Sequence, residues 1–193
     1  MGTRPALPGR RIDERELLSY YSCLRTQYQP ARVQVLLIGE APPPATEWPP
    51  PFFYAPNLGP YDQLFRAVAA ALYPRMDPSR KTLVLEQLRS DGIWLLDAVE
   101  LPIEGKRRSD HQRAIDTERS RLLKRCLNAA PSKGAIICHA LVYDRAANAL
   151  REGGLHLLHT AAIPFPSRRW PSHQARFHDE VRRAVSLART ECS

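Results

Sequence analysis

The sequence predicts a single α/β domain over residues 1–193, a three-layer α/β/α sandwich with a central four-stranded parallel sheet. Four short segments are apolar almost throughout, as strands covered on both faces are. Helical periodicity separates these segments, and strands alternating with helices are typical of a parallel sheet. Hydrophobic residues make up 44% of the 193 residues and charged residues 25%. These values suit one domain with a substantial core and exclude a wholly disordered chain or a coiled coil.

The first half of the chain is predicted to contain three helices and two strands. Apolar side chains recur at helical spacing in three segments: 13–28, 61–73 and 81–89. Two segments are short apolar strands: 32–40 and 91–99. Eight of the 18 prolines lie between Pro42 and Pro60, a density that no helix or inner strand tolerates. This stretch is therefore predicted to be a loop.

The second half alternates in the same way. Three segments have helical periodicity: 113–129, 141–154 and 172–188. Two further apolar segments are strand candidates: 131–140 and 155–165. The pair Gly153-Gly154 ends the middle helix, and Pro164 and Pro166 end the fourth strand candidate.

The cysteines and the chain's N-terminal segment indicate a reducing compartment, the cytoplasm. The four cysteines are widely spaced and form no CxxC pair: Cys23, Cys126, Cys138 and Cys192. We expect them to be reduced, the first three on core faces and the last in the tail, with neither a zinc site nor a disulfide framework. No apolar run reaches the roughly 18 residues of a membrane span. The N-terminal segment is charged where a secretory signal would be apolar, so we expect a cytoplasmic protein without membrane association. We also expect a monomer.

Positive charge is concentrated in two regions of the chain, whose net charge is +8. Eight Lys or Arg residues and four acidic residues lie between 104 and 125. Six Arg residues and three acidic residues follow position 164. Polyanions are the natural partners of such regions, although solvated helix faces have a similar composition.

Unusual residues follow each predicted strand. They are Gly39 to Pro42 after the first strand, Asp97 at the end of the second, His139 after the third and Phe165 to Trp170 after the fourth. Ligands of parallel sheets bind at the carboxyl ends of the strands. The sequence therefore predicts a functional site at this edge.

The segment GEAPPP, followed by PFFYAP and by a helix containing Leu-Phe, resembles the first motif of the uracil-DNA glycosylase superfamily. The family-4 pattern there is Gly-Glu-Ala-Pro-Gly. The order of later features is also similar: Asp97 stands where family 4 carries a base-reading Asn, and PFPS stands where the family has His-Pro-Ser. The resemblance covers residues 33–185. It implies a monofunctional DNA glycosylase of base excision repair that releases uracil or another deaminated base and leaves an abasic site.

The resemblance also implies roles for the residues of the first motif. Glu40 would deprotonate the attacking water and stabilise positive charge on the sugar. Tyr54, or else Phe53, would stack on the flipped base. Gly39 and Ala41 flank the acidic residue and would contact the substrate. The alternatives are a helix- or loop-capping role for Glu40 and simple core anchoring for the two aromatic residues.

Two departures from the family pattern leave the preferred base open. As a carboxylate, Asp97 accepts from uracil N3–H but repels the O4 carbonyl. Either Asp97 is protonated by burial, or another group reads O4, or the preferred base carries an exocyclic amine. A buried Asp paired with a neighbouring Arg is the structural alternative. Phe165 replaces the family's His, and His139 is a candidate substitute unless it is an ordinary hydrogen-bonded polar residue.

Two basic segments are expected to contact DNA. Ser167 would bind a phosphate, and Arg168, Arg169 and Trp170 stand where the family's loop enters the DNA stack. In the alternative, the tryptophan packs under the last helix.

The segment GKRRSDH contains Lys106, Arg107, Arg108 and His111. It resembles the Lys-Arg-Arg-Ile-His loop of the superfamily's covalent uracil-DNA-binding class, in which the His captures the sugar. One extra residue separates the arginines from His111 here. A solvated charge run contacting the DNA backbone is the simpler account.

No cofactor or metal is expected. Family 4 members hold an iron–sulfur cluster on four cysteines, whose spacing this chain does not reproduce. Two alternative functions remain: a non-catalytic or covalent uracil- or abasic-site-binding member, and a small-molecule α/β hydrolase or nucleotide-binding protein unrelated to DNA. The second lacks its usual motifs, since the chain has no GxGxxG, GxxxxGKS/T or GxSxG.

Overall fold

The computed structural model describes residues 12–190, apart from the side chain of Arg189. These residues form six helices: α1 (Glu14–Gln27), α2 (Gln63–Leu72), α3 (Lys81–Ser90), α4 (Arg108–Ala129), α5 (Ala140–Glu152) and α6 (Pro171–Thr190). They form three strands: β1 (Val35–Gly39), β2 (Ile93–Asp97) and β3 (Gly134–Ile137). Cys192 and the charged N-terminal segment lie outside the described residues.

The sheet built by the described residues is parallel, with the strand order β2-β1-β3. All three strands are buried along their whole length. Their continuous apolar sequences follow from this position, because neither face of a strand meets water. The predicted α/β class is therefore confirmed.

Strand register brings the predicted site residues to one edge of the sheet. Gly39 at the end of β1 pairs with Asp97 at the end of β2. Beyond the strands the pairing continues, since Val99 N–H donates to the Glu40 carbonyl at 2.9 Å. His139 follows β3 after a single residue. Three acidic or imidazole side chains thus leave neighbouring strands at their carboxyl ends.

The helices pack on the sheet and on one another. α3 contacts β2, whereas α5 and α6 contact β3. α2 packs against α6, and α4 against α5. The largest fully buried aromatic side chains come from α1, the proline-rich loop, α2 and α6: Tyr21, Phe52, Phe65 and Phe177. Burial of such side chains contributes roughly 1.5–3 kcal/mol each to the hydrophobic driving force. No helix in the range 12–190 has both the length and the apolar character needed to cross a bilayer.

The predicted fourth strand, 155–165, does not form a strand. Only Leu157 makes an isolated parallel bridge, to Ala135 of β3. At the next ladder position the Ile137 N–H donates to His159 Nε2 at 2.9 Å, so a side chain replaces the main-chain acceptor. The ladder therefore ends after one step. His159 Nδ1 lies 2.8 Å from the carbonyl of Ala161, which assigns the ring proton to Nδ1.

His159→Phe is expected to lower the free energy of unfolding by about 1–3 kcal/mol, because the buried Ile137 N–H loses its acceptor. Burial lowers the pKa of His159, with the Ala161 carbonyl acting in the opposite direction. The neutral ring is thus favoured in the folded state, and its stabilising effect is present above the ordinary histidine pKa and lost as the pH falls below it. Urea unfolding at pH 5 and 7.5 measures both effects. The exposed His156→Phe is the matched control, and equal losses in the two variants would contradict this role.

The basic segment after residue 104 is partly helical rather than a loop. The expected helix over 113–129 begins earlier, at Arg108. Two local features start it: Gly105 has a φ of +103°, and the Arg107 N–H donates to the Asp110 carboxylate at 3.2 Å. His111 consequently lies in the first turn of α4.

The cysteines differ from prediction at one position. Cys126 and Cys138 are buried, as expected, and Cys23 is exposed. Cys23 lies on α1 two residues after buried Tyr21, and this spacing places it on the solvent side of the helix.

Candidate active site

A pocket of about 480 Å³ opens at the carboxyl edge of the sheet. Seven of the predicted site residues line it: Glu40, Ala41, Phe53, Asp97, Lys106, His111 and His139. Further lining comes from the prolines after β1, the start of α2 and Phe165. Segments far apart in the sequence thus meet in one cavity.

The carboxylate of Glu40 lies between two imidazole rings. His111 Nδ1 is 3.0 Å from Oε1, and His139 Nε2 is 3.7 Å from Oε2. The side chain of Glu40 is 19% exposed, so it is neither in bulk solvent nor sealed in the core. Glu40 caps no helix here, in contrast to the alternative reading of the sequence.

His139 is oriented by the start of α5. Its Nδ1 accepts the N–H of Leu141 at 3.3 Å, as the N-cap of that helix. In the neutral ring the proton is therefore on Nε2, the nitrogen nearest Glu40. Burial lowers the pKa of His139, while the charge of Glu40 acts in the opposite direction. A neutral imidazole that faces the carboxylate follows from this arrangement.

Asp97 has features of both interpretations of the sequence: it faces the pocket, as a base-reading residue would, and it lies near a buried arginine, as a structural residue would. It lines the pocket and is 4% exposed, and the guanidinium of Arg25 lies 3.9 Å from Oδ2. That distance is too long for a hydrogen bond. Arg125 donates to the main-chain carbonyl of Asp97 at 3.0 Å rather than to its carboxylate.

The acidity of Asp97 reflects this incomplete pairing. Burial raises the pKa of Asp97 to about 6, since the positive charges of Arg25 and Arg125 offset the desolvation only in part. The nearby carboxylates of Glu100 and Glu40 raise the pKa further.

Gly39 serves the site through its lack of a side chain. A Cβ atom at this position would lie 2.5 Å from Oδ1 of Asp97, closer than any real contact. The glycine therefore allows the acidic residue of β2 to sit against the end of β1. Gly39 itself does not line the pocket.

The two adjacent aromatic residues of the proline-rich loop have different positions. Phe53 lines the pocket. Tyr54 lies in the core, where its hydroxyl donates to the Leu95 carbonyl at 3.1 Å and accepts from the Leu95 N–H at 2.6 Å. Its ring stacks on Tyr28, and burial raises its pKa. Tyr54 therefore anchors the loop in the core and does not line the pocket, which leaves Phe53 as the candidate for stacking on a base.

The first basic segment reaches the pocket at one end. Lys106 lines the cavity, and the exposed side chain of Arg108 pairs with Asp144 at 3.6 Å. Arg107 is exposed at the N-cap position of α4.

The second basic segment lies beside the pocket without lining it. The Arg168 N–H donates to Oε1 of Gln63, a lining residue, at 3.0 Å. Ser167 Oγ accepts the N–H of Arg169 at 3.3 Å. Trp170 is 59% exposed and stacks on His173 with ring centroids 6.0 Å apart. It does not pack under α6.

Sequence reasoning missed several residues of the site. Tyr61 lines the pocket although it is 56% exposed, and Asp62 lies beside it. Two buried cations pair with lining residues without lining the pocket themselves: Lys81 with Asp62, and Arg25 with Asp97. The segment Gly59-Pro60-Tyr61-Asp62 directly before a helix was the one available signal for the first pair. Nothing in the local sequence distinguishes the two buried cations.

In the described part of the chain, no group of three or more His, Cys, Asp or Glu side chains is arranged to hold a metal ion. Comparison of the chain with protein-family models, with curated proteins and with solved structures found no match.

Proposed function

We propose that the protein is a monofunctional DNA glycosylase that releases uracil or another deaminated base from DNA. The observation that supports this most is the position of Glu40: its carboxylate lies between two imidazoles in a pocket that Asp97 and Phe53 also line. We further propose a three-layer sandwich of the uracil-DNA glycosylase type, in which helices cover both faces of the sheet, and a monomeric protein of the cytoplasm.

The reaction assigns a separate role to each group. Water attacks C1′ of the sugar and transfers a proton to Glu40, while the bond between C1′ and the base breaks and the base leaves with the electron pair. The negative charge of Glu40 also stabilises the cation-like sugar. His111 and His139 hold the carboxylate in place, and Lys106 supplies positive charge near the departing base.

Two basic segments support DNA as the partner. Lys106 is part of the pocket wall, with Arg107 and Arg108 directly after it. Arg168 is tied to the pocket through Gln63. A DNA strand that places a nucleotide in the pocket would meet positive charge on both segments, and an exposed Trp170 beside the second can stack on a base.

The direct test is incubation with oligonucleotides that contain uracil, hypoxanthine, xanthine or a mismatched thymine, followed by alkaline cleavage of abasic sites. Release of at least one deaminated base is expected, with DNA affinity that falls as salt rises. Failure with all four bases in both single- and double-stranded DNA would reject the proposal. Weak, salt-independent DNA binding would instead favour a small-molecule hydrolase.

Covalent capture of the abasic sugar is a second candidate function, favoured by the 3.0 Å contact between His111 and Glu40. His111 Nε2 would form the bond to C1′ as the base leaves, and the proton on Nδ1 would pass to Glu40. A band shift that survives denaturation and disappears in His111→Gln supports capture. A shift that denaturation abolishes supports hydrolysis.

Arg168→Gln combined with Arg169→Gln is expected to weaken DNA binding without changing the preferred base. Each lost phosphate contact lowers the slope of log affinity against log salt by about 0.9, so the double variant loses up to about 1.8. Fluorescence anisotropy between 50 and 300 mM salt measures the slope. Arg89→Gln, on the exposed face of α3, is the control. An unchanged slope in the double variant would exclude these arginines from the DNA contact.

A further inference from the structure

Lys81 is a fully buried ammonium group that the proposed reaction does not use. It is the first residue of α3, and its side chain has no exposed surface. Nζ donates to Asp62 Oδ1 at 2.9 Å and to the Phe52 carbonyl at 3.2 Å, and it lies 4.9 Å from the centre of the Phe65 ring. Burial lowers the pKa of Lys81, whereas the Asp62 carboxylate acts in the opposite direction. A buried charge persists only when it is paired in this way.

All three partners of this ammonium group line the pocket: Phe52, Asp62 and Phe65. They belong to the proline-rich loop, the residue before α2 and α2 itself. Lys81 therefore joins two stretches of the pocket wall to a third element, α3.

Lys81 also completes a local network in the loop. The Phe52 carbonyl accepts both the ammonium group and the N–H of Ala55, the latter at 3.0 Å. The second oxygen of Asp62 accepts the N–H of Gly59 at 2.6 Å. Residues 40–62 contain no helix or strand, so these bonds take the place of secondary structure in shaping this stretch.

We infer that Lys81 is a positioning residue that fixes the aromatic wall of the pocket, formed by Phe52, Phe53 and Phe65. The consequence for catalysis rests on the proposed function, since the ligand held by that wall is the flipped base. Phe53 is the candidate stacking residue, and the carbonyl before it is the one bound to Lys81. Loss of the ammonium group removes the common donor of the Phe52 carbonyl and the Asp62 carboxylate. The wall then loosens, whereas the contacts of Glu40 with His111 and His139 do not involve Lys81.

The test uses the full chain in three forms: Lys81→Met, Lys81→Met with Asp62→Asn, and the exposed control Lys124→Met. The double variant removes both charges and keeps an oxygen for the Gly59 N–H, so it folds even where the single variant leaves an unpaired buried carboxylate. Steady-state kinetics on the deaminated-base oligonucleotide and amide hydrogen exchange are measured on the same preparations.

The double variant is expected to raise KM about tenfold and to change kcat by less than about threefold, because the wall holds the base equally before and during reaction. Exchange at Ala55, Gly59 and Asp62 is expected to accelerate about tenfold, while exchange in β1 stays unchanged. The control should match the wild type in both measurements.

Wild-type KM together with wild-type exchange over residues 52–62 in the double variant would overturn the inference. A uniform acceleration that includes β1 would also overturn it, since this indicates a purely global loss of stability. If the wild type releases no base at all, the proposed function fails by itself, and the exchange measurement alone decides the role of Lys81.

Discussion

Glu40→Gln is expected to slow base release by about 10²- to 10⁴-fold, the range in which general base catalysis contributes. The amide cannot take a proton from water, and it carries no charge to stabilise the sugar cation. It retains an oxygen at the position of Oε1, which lies 3.0 Å from His111 Nδ1 in the wild type, so the local structure should persist. Single-turnover cleavage of the preferred oligonucleotide measures the rate.

DNA affinity should change by less than about threefold in the same variant, because Glu40 acts in the chemical step rather than in strand binding. Glu47→Gln, an exposed position on the same proline-rich loop, is the matched control and should retain full activity. Base release by Glu40→Gln at the wild-type rate would remove the catalytic role. Equal losses in rate and affinity would show that the residue binds substrate instead.

Most of the secondary structure could be predicted from the sequence because its signals are local. β1 and β2 are continuous apolar stretches, and the six helices show periodic burial such as that of Leu17 and Tyr21 in α1. The convergence of Glu40, Asp97 and His139 also follows from the parallel topology, since neighbouring parallel strands end at the same edge.

The fourth strand shows where local signals stop being sufficient. Residues 155–165 are as apolar as a strand, and the structure still gives them one bridge at Leu157. A side chain, His159, takes the hydrogen bond that a further strand would have accepted. Whether a side chain replaces the main-chain acceptor depends on the position of its ring in three dimensions. Neither the composition nor the periodicity of the sequence reports that position.

Parts of the site could not be predicted for the same reason. Phe53 and Tyr54 are adjacent aromatic residues, and only the buried main chain of Leu95 determines that the tyrosine turns into the core. Lys81 is 19 residues from Asp62 and 29 from Phe52, so its contacts leave no mark on the local sequence. Long-range polar pairs of this kind require the folded chain.

Asp97→Asn is expected to make the protein more stable at pH 7–8 by up to about 3 kcal/mol. The pKa of the folded state is raised to about 6 from an ordinary value of 3.8, and about two pKa units correspond to this free energy. Because the folded pKa is the higher one, the wild type loses stability as the pH rises from about 4 through 6, and it loses no more from this group above that range. Urea unfolding between pH 4 and 8 should show this decline in the wild type and not in the variant. A parallel pH dependence in both proteins would show that Arg25 keeps Asp97 ionised throughout.

The pH dependence of the rate of uracil release should also differ between the wild type and Asp97→Asn. A protonated Asp97 presents a donor and an acceptor side by side, which match the adjacent carbonyl and N–H of a deaminated base, whereas the carboxylate repels the carbonyl. Wild-type release of uracil is therefore expected to fall about tenfold per pH unit above about 6. Asp97→Asn carries the same donor and acceptor at every pH, and its rate should be flat relative to the wild type. A wild-type rate of uracil release that increases from pH 6 to 8, together with poor activity of Asp97→Asn, would instead indicate that the ionised carboxylate is the form that acts in uracil release. The direction in which the wild-type rate changes with pH, compared with the flat profile of Asp97→Asn, thus tells which chemical form of Asp97 faces the base.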